Sequence, residues 1–395
     1  MQKLLTLFIA ASLACPMALA QTGTPKSDSG ALKTVPLNDQ AYAAAGDFSE
    51  GLAAVKINNK WGFIDTGGKL VIAPQFNPYQ AQFNAVFSDG LVAVNFVSAQ
   101  KSGIEGNDPV GLRWGFADKT GKVVIKPKFE GNYYAPPHFA GGLAVIGGSF
   151  IGTTIATFGM NTKFGYIDKT GAMVIAQKFD EAYDFSEDLA AVKVGNKYGF
   201  IDKTGRMVIA PTYDAPGFFR DGMAIVELNR VSYVIDKNNK KVFDKGYTGL
   251  SFFSEGLARF EDEGKVGFID KTGAVKIKPR FTYSSTQNER LMYFSEDLCQ
   301  YEMGGNDANG RMFRRFGYIN KSGKTVIEPQ FDYAGPFKNG YAVVSINGNY
   351  GYINKAGKFA IAPIYANVGY FINGIARVSG GAGFGDNKYR FIKIP

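Results

Sequence analysis

The sequence predicts an all-β chain. It reads as tandem repeats of short antiparallel β-meanders, about nine units with some degenerate, stacked in a curved array or a propeller-like closed ring. Three observations carry that expectation. An aromatic–Gly dipeptide recurs along the chain on a basic interval of 34 residues. Each interval holds three short apolar runs separated by turn residues. Both faces of those runs are apolar, so a unit must be covered on two sides.

The dipeptide stands at Trp61–Gly62, Trp114–Gly115, Phe164–Gly165, Tyr198–Gly199, Phe316–Gly317 and Tyr350–Gly351. Val266 replaces the aromatic before Gly267, and "VSYVIDKNNK" puts Tyr233 where Gly belongs. Counting Ser232 and Tyr389 as worn copies, the separations run 53, 50, 34, 34, 34, 50, 34 and 39. Longer intervals are the basic unit plus insertions.

The first twenty residues are expected to be a signal peptide. Lys3 gives a basic start, Leu4 to Ala14 an apolar run, and Pro16 breaks it. Ala18 and Ala20 occupy the small-residue positions of a cleavage site, which places cleavage after Ala20. A spanning helix needs about 20 apolar residues, more than this run or any later stretch offers. Residues 21–30 then read as a flexible linker and 31–395 as the repeat domain, exported to the periplasm or the medium. Loss of the leader removes Cys15 and leaves Cys299 alone, so no intramolecular disulfide can form. Cys299 in "EDLCQY" falls where sibling units carry Ala, a small buried position. The formal charge of +9 becomes +8 without Lys3. That mild excess fits an anionic surface but raises no expectation of nucleic acid.

Within the most regular unit, "LAAVKV" (189–194), "YGFID" (198–202) and "RMVIA" (206–210) are the three strands. In "DKTG", Asp202 caps a turn and Gly205 takes the left-handed conformation that a type I turn plus bulge requires. The three-residue "GNK" is a tight hairpin link. By the pleat, Trp61 and Phe63 face one side, and Gly62 and Ile64 the other. The bulky face of one unit is expected to fill the shallow face that Gly opens on its neighbour. A three-stranded sheet is marginal alone, so stability must come from the faces between units.

The ends are in phase. "ALKTVPLNDQAY" (31–42) reads as a worn third strand, with Pro36 three before Asp39 as Pro211 is before Asp214. "IARV" and "YRFIKI" supply first and second strands at the other end. Together they make one unit, the phasing a ring closed by strand exchange needs.

The regular unit also locates the insertions. Links between first and second strands are long at 95–113, 147–163, 302–315 and 379–388; links after the third strand are long at 77–87, 130–138 and 282–293. Both kinds emerge on one rim, opposite the short "DKTG" turns. Loops beyond the structural minimum on a repeat scaffold are where binding usually lives. The candidate binding residues on that rim are Tyr79, Phe96, Tyr133, Tyr134, His138, Phe150, Phe158, Arg311, Phe313, Arg314 and Arg315. On the opposite rim, Lys119, Lys169, Lys203, Lys237, Lys271, Lys321 and Lys355 follow the strand-end acid, or Asn320 and Asn354 in two late copies. They are expected to form a row or ring of cations there.

Catalytic patterns are missing from the sequence. His138 is the lone histidine, which removes His-based metal sites and leaves a triad nowhere else to form. Glu261, Asp262 and Glu263 form a charge run. "GGAGFGDN" (380–387) opens no helix and lacks a P-loop lysine. "RMFRR" (311–315) reads as a solvated loop. No cofactor is expected.

The string aromatic-Gly-aromatic-Ile-Asp-Lys-x-Gly-x-x-Val-Ile-x-Pro-x-aromatic-Asp, followed by Phe-Ser-Glu-Gly-Leu-Ala-x-Val, resembles the WG-repeat (KWG-repeat) family of bacterial proteins over residues 31–395. The resemblance implies a repeat scaffold, often secreted or surface-associated, without general catalytic activity. The expected function is an exported, non-enzymatic scaffold engaging a protein or an envelope polymer through the insertion rim. The alternatives are a carbohydrate or cell-wall module using the aromatics beside Gly, and a hydrolase on a propeller-like fold.

Overall fold

The computed structural model describes residues 35–76, 85–97, 112–129, 136–147, 163–282, 292–306, 310, 312–381 and 386–393, without the side chains of 96, 97 and 112. The leader and linker lie outside these residues. The described residues are all-β, arranged in nine antiparallel sheets of three or four strands with no helix. Unit four shows the plan. Leu189–Val194, Lys197–Asp202 and Met207–Tyr213 pair in sequence order, and the short entry strand Glu181–Ala182 lies against the first.

The turns follow from side-chain chemistry. In unit four Asp202 Oδ1 accepts from the Thr204 and Arg206 amides and from the Thr204 hydroxyl. Gly205 sits at φ 81° and donates its amide to the Asp202 carbonyl. This is the predicted type I turn with a glycine bulge, and Asn320 caps its copy identically. The first hairpin is tighter than expected: Val194 pairs directly with Lys197, leaving two residues rather than three. In unit one those two are Asn58 and Asn59, both at positive φ, as a type I′ turn demands.

The glycine beside the aromatic has a different cause from the one expected. A Cβ on Gly62 would lie 2.5 Å from the Ile72 carbonyl oxygen and 2.9 Å from the Pro74 nitrogen, both in its own sheet. The third strand arches there: Trp61 pairs with Phe76 but Phe63 with Ile72, so two residues oppose four. The same bulge presses on Gly115, Gly165, Gly199, Gly267, Gly317 and Gly351. Glycine admits the unit's own backbone, not a neighbour's ring.

Stacking of bulky on shallow faces does hold, through the Val and Ala of the first strand. Trp61, Phe63, Ile72 and Phe76 of unit one bury against Val92, Val94 and Ala117 of unit two. Trp114 and Phe116 meet Ala144, Ile146 and Ile167, and Tyr198 and Phe200 meet Ala224, Val226 and Ile235. Each buried ring of this kind contributes roughly 1.5–3 kcal/mol relative to exposure. Where Tyr takes the Phe63 position, its hydroxyl finds a carbonyl: Tyr318 donates to Gly335 at 2.7 Å and Tyr352 to Gly369 at 2.7 Å. Cys299 is buried against unit six, as its alanine siblings implied.

The two ends of the described residues meet. Val35 and Pro36 pair with Lys393 and Ile392, completing a four-stranded sheet with Tyr389–Lys393, Ile375–Ser379 and Asn367–Val368. The phase is as predicted but the register is not. Tyr42 bridges Tyr389, as Tyr213 pairs Tyr198, so Pro36 stands at the Met207 position rather than that of Pro211. Ile375 and Phe391 of this last sheet bury with Ala53, Val55 and Ile64 of the first unit. Asp47 and Arg377 join across the same junction at 2.9 Å.

Candidate functional site

Every unit begins with a Phe-Ser-Glu-Gly-like turn, on the same rim as its "DKTG" turn. The serine ties one unit to the next: Ser49 Oγ donates to the Phe87 carbonyl, Ser88 to Phe139, and Ser254 to Phe294, at 2.6–2.7 Å. The acid reaches the following turn, as Glu187 does to the Gly222 amide at 2.9 Å. The lysines expected to form a cation row also belong to this lattice. Lys119 pairs with Glu50, Lys203 with Asp188, Lys237 with Glu187, Lys271 with Asp221, Lys321 with Glu255 and Asp297, and Lys355 with Glu296, at 2.7–3.4 Å. The partner is an acid of a serine turn rather than the adjacent strand-end acid. Six of the seven lysines are thus ion-paired links between turns, and the row presents little net charge.

One column of the repeat departs from all this uniformity. The residue just before the turn phenylalanine is Asp47, Val86, His138, Asp184, Phe218, Phe252, Tyr293, Pro336 and Tyr370 in the nine units. It lies on the entry segment that runs against each first strand, on the side of the sheet away from the third. In units five, six, seven and nine the column is aromatic: Phe218 and Phe252 are exposed, at 51% and 42%, and Tyr293 and Tyr370 are half-buried. The Phe252 and Tyr293 rings lie 5.2 Å apart, and Phe218 meets Tyr183 edge-on at 5.7 Å. Two cations replace the turn serine beside this column. Arg220 stacks over Phe252 at 5.5 Å and Lys338 over Tyr370 at 5.1 Å. Among the described residues, neither makes an ion pair. Tyr293 is influenced by Arg220 of unit five and Tyr370 of unit nine, two units away on either side. Burial holds the Tyr293 hydroxyl above its ordinary range and does the same for Tyr370, which is hydrogen-bonded to Tyr333. These phenols are therefore neutral donors at physiological pH.

The other half of the column is ionic. His138 Nε2 lies 2.7 Å from Asp184 Oδ2, and that hydrogen bond raises the histidine pKa. No hydroxyl nucleophile adjoins the pair among the hydrogen bonds of the described residues. His138 stands toward the serine-turn end of its unit, since Phe139 pairs with Ala144 at the start of the first strand. It is not on the insertion rim where the sequence placed it.

Of the other candidate residues, Tyr79, Tyr133, Tyr134, Phe150, Phe158 and Arg311 lie outside the described residues. Phe96 is in a strand and pairs with Arg113. Phe313, Arg314 and Arg315 belong not to a loop but to a ladder. Leu298–Asn306 and Met312–Asn320 stay paired through Glu302–Phe316 to Asn306–Met312, extending the hairpin well past the regular unit. Met312 near its tip is 84% exposed. Arg315 pairs with Asp332 at 2.6 Å, and Arg314 with Glu302 at 3.4 Å. Trp61 and Trp114, the aromatics proposed as a ligand platform, are 1% and 2% exposed.

Residues 41–61, 61–77, 114–146, 164–198, 198–230, 234–265, 267–306, 316–350 and 350–379 each match the WG containing repeat. The chain belongs to the WG-containing repeat family. Most of its matched segments run from the second strand of one sheet through the serine turn to the first strand of the next, so the family's unit holds three strands but straddles two sheets. No curated protein matches the chain. Among solved structures, this WG-repeat chain is similar to Kluyveromyces lactis Hsv2, at 8% identity and a TM-score of 0.34, over 66% of this chain and 98% of that one. It is also similar to apo AztD from Citrobacter koseri, at 14% identity and a TM-score of 0.31, over 58% and 70%. Both are distant likenesses.

Proposed function

We propose that this WG-repeat chain is an exported, non-enzymatic binding scaffold whose nine sheets close into a ring and whose insertion rim engages a protein or an envelope polymer. Ring closure is supported by count. Nine buried clusters join nine sheets, each cluster shared by two neighbours, and the ninth joins the last sheet to the first. Gly68 of unit one abuts Leu37 of the last sheet, just as Gly121 of unit two abuts Ile72 of unit one. A non-catalytic role is supported by the carboxylates: Asp118, Asp168, Asp202 and Asp270 are all engaged in capping their own turns.

The observation that carries the rim is the unit-seven hairpin, a ribbon paired out to Asn306 and Met312, with Met312 exposed. Met303 pairs with Arg315 as Val194 does with Lys197, so replacing 304–314 with a two-residue turn is expected to leave the thermal midpoint within a few degrees and to abolish partner recovery from envelope extracts. Recovery at the level of the intact chain would remove the rim from consideration. The aromatic-platform reading at Trp61 and Trp114 loses its support, because both rings are inside the stack.

A further inference from the structure

The variable column before the turn phenylalanine has no structural need for aromatics. Asp47, Val86 and Pro336 fill it in sister units with the same backbone, while the phenylalanine beside it is buried in every unit. Phe218 and Phe252 stand exposed at a cost in solvation, Tyr293 is half-buried, and Tyr370 packs at the edge of the core between units eight and nine. Units five, six, seven and nine thus all carry a ring here, and units five and eight place a cation at the adjoining serine position. The serine these cations replace elsewhere donates to the next unit's backbone; beside Lys338 that bond passes to Asn339, which donates to the Phe371 carbonyl at 2.7 Å and leaves the lysine free of lattice duty.

We propose that Phe218, Arg220, Phe252, Tyr293, Lys338 and Tyr370 form a binding site for an anionic saccharide, at the serine-turn face and distinct from the insertion rim. The reasoning rests on complementarity. Accessible ring faces take the C–H face of a sugar, which offers hydroxyls at its edges and none against the ring. Neutral phenols at Tyr293 and Tyr370 donate to those hydroxyls. Arg220 and Lys338, neither of which makes an ion pair among the described residues, supply charge-assisted bonds to a carboxylate, sulfate or phosphate on the sugar. The stacking of each cation on a ring of the same cluster, at 5.1 and 5.5 Å, keeps charge and platform within reach of a single ligand. Arg220 over Phe252 at 5.5 Å and Phe252 beside Tyr293 at 5.2 Å bring residues of units five, six and seven together. Convergence of this kind suits a chain end or a short oligosaccharide better than a broad protein face. The insertion-rim hairpin of unit seven lies at the opposite end of its strands, so the two sites are separable.

The test is calorimetric titration of the full chain with hexagalacturonate, beside maltohexaose as a neutral sugar and inorganic phosphate as charge without a ring. Hexagalacturonate is expected to bind in a salt-sensitive manner, and the other two to bind at least tenfold more weakly. The double variant Arg220→Gln with Lys338→Gln should weaken it about tenfold or more, since each charge-assisted bond carries roughly a factor of ten. Phe252→Ala should weaken it as well, with far-UV circular dichroism and the thermal midpoint retained in both variants. The chain with 304–314 trimmed should bind the sugar unchanged. Absence of hexagalacturonate binding, equal binding by the folded double variant, or equal binding of phosphate alone would each overturn the proposal.

Discussion

Units four and five have the same length and neighbours of the same kind, yet one carries Gly199 and the other Tyr233 at the same position. In unit four the third strand arches over Gly199, and a Cβ there would lie 2.8 Å from the Pro211 nitrogen. In unit five no regular third strand forms; isolated bridges Ser232–Tyr247 and Ile235–Lys241 keep its register. Tyr233 takes the space the arch would occupy, with Lys241 over its ring at 3.9 Å. The missing glycine is not lost but displaced. A Cβ on Gly246 would fall 2.2 Å from the Val231 side chain and 2.9 Å from the Tyr233 ring, both on the second strand. The requirement is thus for one site without a side chain where second and third strands cross, on either strand. The dipeptide that marks the family is half core and half backbone clearance.

The largest expected effect concerns the core half. Phe200 is fully buried between units four and five, and Phe200→Ala should cost about 3–5 kcal/mol in urea unfolding. Breaking the clearance half should cost less. Gly199→Ala and Gly246→Ala are each expected to lose about 1–3 kcal/mol, by forcing backbone or Tyr233 aside. If Gly246→Ala were neutral while Gly199→Ala was not, the displacement account of unit five would be wrong. Combining Gly246→Ala with Tyr233→Gly should recover part of the loss.

The smallest effect sharpens the comparison at the turns. Unit four has Thr204 where unit five has Asn238, and the Thr204 hydroxyl is the main cause that holds Asp202 down to about 2. Because the folded value lies below the ordinary 3.8, this contribution is complete above about pH 4 and disappears as pH falls through 2. Thr204→Ala should move the Asp202 carboxyl titration upward, as read by its side-chain carbon shift, and shift the acid limb of stability with it.

These contrasts also say what a sequence of this kind discloses. The turn chemistry of "DKTG", the phase of the ends and the stacked apolar faces were legible, because each depends on residues within about ten positions or on strict alternation. The reason for glycine was not, since its partner is the Ile72 carbonyl across a bulge that no composition marks. The lysine row misled for a similar reason. The acid beside each lysine in sequence points into its own turn, and the true partner, such as Glu50 for Lys119, is 69 positions away. The aromatic column was visible in principle. Its signal is the lack of a consensus beside an almost invariant phenylalanine, and a search for shared residues passes over such a column.

The last sheet, built from Val35–Pro36 together with Ile375–Ser379 and Tyr389–Lys393, bears on how such a chain can lengthen. Its two faces are covered by units eight and one. In the ring proposed above, a repeat gained by duplication would find a bulky face on one side and a shallow one on the other only between existing units. The split unit would then act as a seam, with growth of the array favoured in its interior.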